Sequence, residues 1–370
     1  MRIGIDARML GGTFGIGRYV EKLVLHLEKL DHENEYVIFL RKGNWNTWSP
    51  LNPKFKKSLA DIPWYSGAEQ FILPRIFYKE RCDIMHFPHW NVPLLYRRLF
   101  VMTIHDLTMV RLPESSRSSV TTRHPVIHAA KHACFRFVLR SSIARARHLL
   151  VVSEAVFGDL AHTFPASAAK ASVVHEAADP CTDTPVKPPV ALPKRYFLYV
   201  GSCYPHKNLI ILLDVWRRLR DEDPECVLLL CGQEDAFTAR VRSQIEERGV
   251  SGSVRHLGTV TDAELSYLYQ HALALISASR AEGFGLQLLE AMHCGTPVVC
   301  SDVPSFREVA GAAALYFNPA SVDDILSKVR CLMRDVSARA ELSQKGLKQA
   351  QRFSWEKTAQ STKKIYEQQS

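Results

Sequence analysis

Short apolar strands and amphipathic helical stretches alternate along almost the whole 370-residue chain, and this alternation constrains the fold more than any other feature. It begins with the strand-like run Arg2–Ala7, a glycine-rich loop, a helical stretch and the apolar run 36–40. It restarts after residue 194 with the apolar run 196–201 and a helical pattern over Leu209–Arg220. Strands joined by helices in this way form parallel sheets, so the sequence predicts an α/β protein.

A proline-rich segment separates the two series. Residues 178–193 (ADPCTDTPVKPPVALP) contain five prolines, too many for a regular helix or a central strand. The length agrees with two domains, since about 150 residues per domain is typical. We predict two doubly wound, Rossmann-like domains that face a central cleft, residues 1–178 and 194–352, with residues 179–193 as the linker. A final helix, about 353–370, is expected to pack back on the first domain.

Positive charge is concentrated in the first predicted domain. The chain has a net charge of +9, and residues 96–148 contain ten Lys or Arg against Asp106 and Glu114, a local excess of 10 − 2 = +8. A basic patch attracts an anionic partner such as nucleic acid, a membrane surface or a phosphorylated substrate. The alternative is a solvated helix face that only keeps the domain soluble. The segment Val126–Arg147 has the composition of a basic amphipathic helix, for which we predict reversible binding to anionic membrane lipids.

The same sequence argues for a cytoplasmic protein. No apolar run approaches the roughly 18 residues of a membrane span, and the first residues, MRIGIDAR, do not resemble a signal peptide. Nine cysteines form an odd set with no C-x-x-C spacing, which disfavours a zinc site or a disulfide framework. We therefore expect most of the cysteines to pack as small apolar residues.

Two candidate site segments lie in the first half. The loop that contains Gly15 and Gly17 joins a strand to a helix, where bare backbone amides can approach a phosphate. Arg18 follows it where a P-loop has Lys, so a P-loop is excluded. In TIHDL, His105 and Asp106 end an apolar strand, where a histidine can bond a sugar hydroxyl or a phosphate oxygen, or carry a proton.

The second half contains the more specific segments. In YVGSCYPHKNL (199–209), Lys207 precedes a helix and suits the binding of a diphosphate. In SRAEGFGLQLLEAMHCGTPVV (279–299), glycines lie between a strand and a helix, with Glu282 in the loop and Glu290 one turn into the helix. Two carboxylates beside exposed amides suit a ligand that combines a diphosphate with hydroxyl-rich sugars. The segment HEAAD (175–179) begins like a zinc-protease motif, but Asp179 stands where the second histidine belongs, so we predict no metal site.

Together these segments resemble the retaining glycosyltransferases of family 4, the glycosyl transferases group 1, which have the GT-B fold. The E-x7-E signature of that family is Glu282 to Glu290, and HKN (206–208), GIGRY (15–19), HFPHWNVPL (86–94) and HDLTMVRLPE (105–114) also match. The resemblance covers nearly the whole chain. The style of these motifs is similar to that of mannosyltransferases of bacterial surface-polysaccharide assembly.

The resemblance implies a role for each site residue. Glu290 would bind the ribose of a nucleotide sugar. Glu282 and the backbone amides of Gly283–Leu286 would hold the transferred sugar and the diphosphate, and Lys207 would balance the charge of the leaving diphosphate in place of a metal. His105 would lie near the transferred sugar. The donor-binding set that it implies is Gly15, Gly17, Ser202, His206, Lys207, Glu282, Gly283, Phe284, Gly285, Leu286 and Glu290.

Three positions depart from the family pattern. Ser202 and His206 stand where many members have arginine, and Gln287 replaces a common proline. The predicted diphosphate site therefore has fewer cationic side chains than is usual in the family. We expect Lys207 to act together with His206 or with Arg280.

The expected function is a metal-independent, cofactor-free, retaining hexosyltransferase. The best candidate reaction moves mannose from GDP-mannose onto a glycan or lipid-linked glycan acceptor. Two alternatives stay open: a nucleotide-sugar epimerase of the same architecture, and a basic protein that binds nucleic acid. The first would need further carboxylates in its site, and the second lacks an aromatic platform interleaved with the basic residues.

Overall fold

The computed structural model describes residues 1–11, 15–112, 125–182 and 191–369, with side chains described throughout except at 125–131. The described chain forms two compact units. The first takes Met1–Val110, Thr121–Glu176 and Ser354–Ser370, and the second is built mainly from Ala177–Phe353. Most of the predicted linker, residues 183–190, and residues 12–14 of the glycine-rich loop lie outside the described residues.

The first unit contains a parallel sheet of seven strands in the order β3-β2-β1-β4-β5-β6-β7. The strands are β1 Arg2–Asp6, β2 Glu35–Leu40, β3 Phe55–Leu59, β4 Ile84–Phe87, β5 Phe100–Ile104, β6 His148–Val151 and β7 Ala171–Val173. The helices before the linker are α1 Ile16–Leu30, α2 Gly67–Phe71, α3 Leu73–Lys79, α4 Thr108–Arg111, α5 Pro125–Arg145, α6 Glu154–Thr163 and α7 Pro165–Ala168. A short 3-10 helix covers Lys42–Asn44.

The second unit contains a parallel sheet of six strands in the order β10-β9-β8-β11-β12-β13. The strands are β8 Arg195–Val200, β9 Cys226–Cys231, β10 Val254–Gly258, β11 Ala274–Ser277, β12 Val298–Ser301 and β13 Ala314–Phe317. The helices are α8 Leu209–Leu219, α9 Ala236–Glu247, α10 Asp262–His271, α11 Leu286–His293, α12 Pro304–Ala310, α13 Val322–Arg334 and α14 Val336–Ala350. A 3-10 helix, Pro205–Lys207, precedes α8.

In each sheet the chain first adds strands toward one edge and then continues from the first strand toward the other edge. The place where the order of addition changes direction is the switch point. In the first sheet it lies between β1 and β4, and in the second between β8 and β11. Connections leave a switch point toward opposite faces of the sheet, which opens a crevice at the carboxyl ends of the two strands where ligands bind. The strands beside it are buried on both faces, as the fully buried sequences of β4 (IMHF) and β11 (ALIS) show.

The last helix, α15 Trp355–Gln368, belongs to the first unit. It packs along α1, and its buried Tyr366 hydroxyl lies 2.6 Å from Nδ1 of His86 on β4. Thr358 donates from its hydroxyl to the backbone oxygen of His175 at 2.7 Å. The first unit is therefore completed by a helix that follows the second unit in the sequence.

Two cysteines are paired, although the sequence disfavoured a disulfide framework. Cys181 and Cys294 form a disulfide across 113 residues of sequence, with their Cα atoms 4.9 Å apart. It joins the segment after the first unit to the residue that ends α11. Short-range spacing cannot reveal a pair this distant in sequence, because only the fold brings the two residues together. Cys82, Cys203, Cys226, Cys231 and Cys300 are buried, and Cys134 and Cys331 are exposed.

The basic helix differs from the predicted amphipathic one. It ends at Arg145 rather than Arg147, and the apolar residues assigned to one face divide between two: Val138 is buried, whereas Phe137 is 62% exposed. Arg145 is also not part of the surface, because its guanidinium donates to the backbone oxygen of Tyr96 at 2.6 Å and lies over the ring of Phe100. Of the helices in the described ranges, none is long and apolar enough to cross a membrane.

Candidate active site

The candidate site of the second unit is made by the two loops that leave β8 and β11 at the switch point. Their backbones are joined, because the amide of Arg280 donates to the carbonyl of His206 at 2.8 Å. Asn208 adds a second link and donates from its side chain to the carbonyl of Ala278 at 3.1 Å. Asn208 has a left-handed backbone, which asparagine adopts more readily than most residues. The two sequence segments singled out above therefore form one structural element.

The central contact of this element is an ion pair between Lys207 and Glu282. The ammonium donates to Oε1 of Glu282 at 2.6 Å, and the Ser279 hydroxyl donates to the same oxygen at 2.7 Å. Burial by itself raises the pKa of Glu282, but the nearby Lys207 charge outweighs it, so the pKa lies below its usual value. Glu282 is thus a carboxylate at neutral pH. Lys207 and Ser279 both donate to its Oε1, and neither donates to its Oε2.

The glycine loop leads directly into the amino end of α11. Gly285 has a φ of 113°, and a Cβ there would lie 2.9 Å from the ring of Phe306, so both the conformation and the packing require glycine. The first turn of α11 has no acidic residue. The partial positive charge of the helix end is therefore not balanced by a nearby carboxylate of the same turn, which favours an anionic ligand.

Glu290 is half-buried one turn further along α11. Its Oε2 accepts a hydrogen bond from the hydroxyl of Tyr269 at 3.0 Å. Tyr269 is itself buried, and its backbone oxygen accepts from the hydroxyl of Thr296 at 2.7 Å. Such support holds the carboxylate in one orientation, as the binding of a pair of ribose hydroxyls requires.

The remaining residues predicted for this site differ in their surroundings. The Ser202 backbone oxygen accepts from the buried Tyr199 hydroxyl at 2.6 Å, and the ring of His206 stacks on Tyr204 with centroids 5.9 Å apart. The side chain of Phe284 is 3% exposed and packs edge-on against Phe353. The Phe284 ring therefore belongs to the core, and only its backbone is suited to a ligand.

In the first unit, the two glycines of the amino-terminal loop differ from each other. Gly17 is required by packing, since a Cβ would lie 2.1 Å from the backbone oxygen of Gly11. Gly15 has a φ of 70° as the residue before α1, and no atom of the residues that the structure describes lies within 4 Å of a Cβ placed there. Gly15 is therefore the better candidate for close approach to a ligand.

His105 follows β5 and has both ring nitrogens bound. Nδ1 lies 2.7 Å from Oε1 of Glu176, and Nε2 lies 2.9 Å from the backbone oxygen of Pro88. A carboxylate and a carbonyl can only accept, so the ring donates from both nitrogens and is an imidazolium. Burial favours the neutral ring, but the hydrogen bond and charge of Glu176 outweigh it and raise the pKa of His105. A cation held in this way cannot act as a proton acceptor.

His86, on the neighbouring strand β4, shows the opposite behaviour. Its nitrogens lie 2.6 Å from the Tyr366 hydroxyl and 2.8 Å from the Thr103 hydroxyl, and hydroxyls can donate as well as accept. Burial lowers the pKa of His86 to about 3, with a further contribution from the charge of His105. The two histidines therefore differ in charge because of their partners.

Glu176 is a site residue that the sequence did not suggest. It belongs to the segment HEAAD, which was considered only as a metal motif, and it lies 71 residues after His105. Within the part of the chain that the structure describes, no group of three or more His, Cys, Asp or Glu side chains is placed to hold a metal ion. The carboxylate of Glu176 pairs with a histidine instead.

Comparisons with known proteins give the family of the chain. Residues 14–181 match the family model "Glycosyltransferase Family 4", and residues 182–349 match "Glycosyl transferases group 1". O-antigen chain mannosyltransferase B of Escherichia coli is 33% identical over 76% of this chain and 74% of its own. O-antigen chain mannosyltransferase RfbU of Salmonella typhimurium is 32% identical over 70% of this chain and 68% of its own.

Solved structures agree in fold. A sucrose-phosphate synthase from Thermosynechococcus elongatus has a TM-score of 0.76 at 19% identity, covering 99% of this chain and 98% of its own. WaaG, a glycosyltransferase involved in lipopolysaccharide biosynthesis, has a TM-score of 0.74 at 14% identity, covering 99% of each chain.

The fold is that of a GT-B glycosyltransferase. The chain belongs to the family 4 glycosyltransferases, the glycosyl transferases group 1. The predicted family and the predicted α/β fold are confirmed, and so is the expectation of an enzyme of the hexosyltransferase class.

Proposed function

We propose that this enzyme transfers mannose from GDP-mannose, with retention of the anomeric configuration, to a hydroxyl of a glycan or lipid-linked glycan in surface-polysaccharide assembly. The observation that carries the proposal is the Lys207–Glu282 pair beside the amino end of α11 at the switch point of the second sheet. The choice of mannose and of the pathway is supported by the two O-antigen mannosyltransferases that the chain resembles.

The proposed roles follow from the chemistry of each group. Glu290 binds the ribose hydroxyls, and the amides of Gly283–Leu286 bind the diphosphate at the positive end of the helix. Lys207 stabilises the negative charge that develops on the diphosphate as the sugar leaves. Glu282 accepts a hydrogen bond from the transferred sugar on Oε2, while Lys207 and Ser279 hold Oε1. Deprotonation of the acceptor is not assigned to His105, which is already an imidazolium.

The proposal includes catalysis without a metal or an organic cofactor. Lys207 and the helix end supply the positive charge for the diphosphate that a divalent cation supplies in other transferases. We expect full activity in the presence of EDTA, measured as initial rates against an untreated sample. Inhibition by EDTA that Mg²⁺ or Mn²⁺ reverses would contradict this part of the proposal.

A donor screen tests the proposed substrate. Thermal unfolding is measured with GDP-mannose and with UDP-, ADP- and dTDP-sugars, each in excess over the protein. A ligand at about 100 times its dissociation constant stabilises the folded state by about 2.7 kcal/mol, which gives a clear shift. We expect the largest shift with GDP-mannose, and proton NMR of the product should show an α-linked sugar. A larger shift with another nucleotide sugar, or an epimerised donor without transfer, would overturn the proposal.

We further propose that the enzyme binds reversibly to the cytoplasmic face of an anionic membrane, where a lipid-linked acceptor would be available. The exposed face of α5 carries Arg136, Phe137 and Arg140, and Arg147 follows the helix as a further exposed cation. Electrostatic attraction is worth about 1 kcal/mol for each arginine near the lipid surface. Arg145 is left out of this surface because its side chain is bound internally.

Vesicle co-sedimentation tests this surface. Binding should require anionic lipid, weaken as salt increases, and fall when Arg136, Arg140 and Arg147 are replaced by serine. The matched control replaces Arg217 and Arg218, two exposed arginines on α8 of the second unit. Equal loss in the control, or equal recovery with neutral and anionic vesicles, would contradict the assignment.

A further inference from the structure

A group of aromatic side chains lies at the switch point of the first sheet, and none of them belongs to the proposed donor site. Trp90 and Asn91 follow β4, and Arg8 follows β1, so their positions correspond to those of the donor loops in the second sheet. Crevices at such positions are where parallel sheets bind ligands. The first unit therefore has a site position of its own.

Three rings at this position form what we call the Tyr65 stack: Tyr65, Trp90 and Phe135. Tyr65 lies nearly parallel to Trp90 with ring centroids 5.4 Å apart, and Phe135 packs edge-on against Trp90 at 4.6 Å. Trp90 therefore contacts both of the other rings. Tyr65 is the outermost ring and is 63% exposed, and its hydroxyl lies 3.0 Å from Nε2 of His89.

The backbone of Tyr65 is held in a conformation that is unfavourable for an aromatic residue. Its φ is 56°, in the left-handed region that glycine and asparagine adopt most easily. The amide of Tyr65 donates to Oε2 of Glu69 at 2.9 Å, which holds the turn in place. Strain of this kind persists only where the surroundings impose it, and it concentrates at functional sites.

A buried ionic network provides that support. The guanidinium of Arg8, whose side chain is 1% exposed, bonds Glu69 at 2.7 Å and both carboxylate oxygens of Asp6 at 2.8 Å. Asn91 donates to Oε1 of Glu69 at 2.6 Å. The network therefore ties the ends of β1 and β4 to the turn that carries Tyr65. Its charged groups are bonded to one another, so they stabilise the position of the ring rather than the charge of a ligand.

We propose that the Tyr65 stack binds a neutral pyranose ring, the sugar of the acceptor, through the outer face of Tyr65. An exposed aromatic face with a polar edge is suited to a sugar, because the ring packs on the C–H face and the Tyr65 hydroxyl and His89 can bond sugar hydroxyls. The assignment to the acceptor rests on the proposed function, in which the donor occupies the second unit.

The test is saturation-transfer NMR on the full-length protein with hexyl α-D-mannopyranoside as the probe. Its ring protons and its alkyl protons report separately whether the protein contacts the sugar or the chain. The variant is Tyr65→Gly, which removes the ring and suits the positive φ, so folding is not expected to suffer. Tyr65→Phe keeps the ring, and Phe71→Ala removes an equally exposed aromatic residue of the same unit.

We expect saturation of the sugar ring protons in the wild type, in Tyr65→Phe and in Phe71→Ala, with affinity lower by about tenfold in Tyr65→Gly. The thermal midpoint of Tyr65→Gly should be no lower than that of the wild type. Unchanged sugar saturation in Tyr65→Gly would overturn the proposal, and so would saturation confined to the alkyl chain, which indicates a lipid site. The measurement needs neither donor nor turnover, so it is decisive even if GDP-mannose proves not to be the donor.

Discussion

The two sheets of this enzyme have the same kind of switch point but use charge there in opposite ways. In the second sheet, Lys207 and Glu282 lie at the loop surface with side chains 18% and 11% exposed, next to a helix end without an acidic residue. In the first sheet, Arg8 and Glu69 are each 1% exposed and are bonded to protein groups, and the accessible residue is the aromatic Tyr65. The second arrangement suits a charged diphosphate, and the first suits a neutral sugar.

The comparison shows that strand order locates a site but does not determine its ligand. A partly exposed cation can exchange a protein partner for a phosphate at modest cost. A fully buried ion pair cannot, because removal of one partner leaves the other charge uncompensated. The exposure of the charged groups, more than their number, therefore separates the proposed donor site from the proposed acceptor site.

The largest effect is expected from loss of the cation in the second site. Lys207→Ala should lower kcat/KM by roughly ten- to a thousandfold, because one group that stabilises developing charge contributes about 2–4 kcal/mol. Initial rates over a range of donor concentrations measure the effect. Lys345→Ala, which removes an exposed lysine paired with Glu341 in the same unit, is the matched control. Equal activity of the two variants would remove Lys207 from the diphosphate site.

A second prediction concerns the fixed cation of the first unit. Glu176→Gln removes the negative charge that keeps His105 protonated, so burial should then lower the pKa of His105 below its usual value. Loss of a hydrogen bond between charged groups should also cost about 1.5–3 kcal/mol of the free energy of unfolding. Nitrogen-15 NMR titration of the histidine rings measures the first effect, and urea unfolding the second.

The pH dependence of stability follows from the same pair. Because the pKa of His105 is raised in the folded protein, its contribution is complete below about pH 6.5, the unfolded value, and is lost as the pH rises through the folded value. His148 is an internal reference with the opposite shift, since burial lowers its pKa. A wild-type His105 that titrates below His148 would contradict the imidazolium assignment.

A smaller effect is expected at Glu290. Glu290→Ala should raise the donor KM by about tenfold with little change in kcat, as loss of binding common to the ground and transition states does. Asp302→Ala, which removes an exposed carboxylate paired with Arg307, is a matched control that should change neither constant. A normal nucleotide affinity in Glu290→Ala would exclude it from the donor site.

Much of the second site could be predicted from the sequence because its signals are local. Glu282, the glycines and Glu290 lie within one strand–loop–helix segment. Lys207 lies in the equivalent segment of the neighbouring strand β8, in the loop that leads to α8. Local signals still left errors of detail. The basic helix α5, for example, ends at Arg145 rather than at Arg147.

The features that sequence reasoning missed depend on contacts between distant residues. Glu176 reaches His105 across 71 residues, and Cys181 reaches Cys294 across 113. The positive φ of Tyr65 has no signal in the sequence, because neither glycine nor asparagine marks the position. The same holds at the switch point of the first sheet. There Glu69 accepts hydrogen bonds from Arg8 and Asn91, which are 61 and 22 positions away in the sequence.

The central claim is that the nucleotide diphosphate is held by the second sheet and not by the first. Calorimetric titration tests it most directly. The ligand is the nucleoside diphosphate part of the nucleotide sugar that gives the largest shift in the donor screen, and the proteins are the wild type, Lys207→Ala and Tyr65→Gly. We expect the affinity to fall by about tenfold or more in Lys207→Ala, since a charge-assisted hydrogen bond is worth about 1.5–3 kcal/mol, and to be unchanged in Tyr65→Gly. Wild-type affinity in Lys207→Ala, or a comparable loss in Tyr65→Gly, would contradict the account.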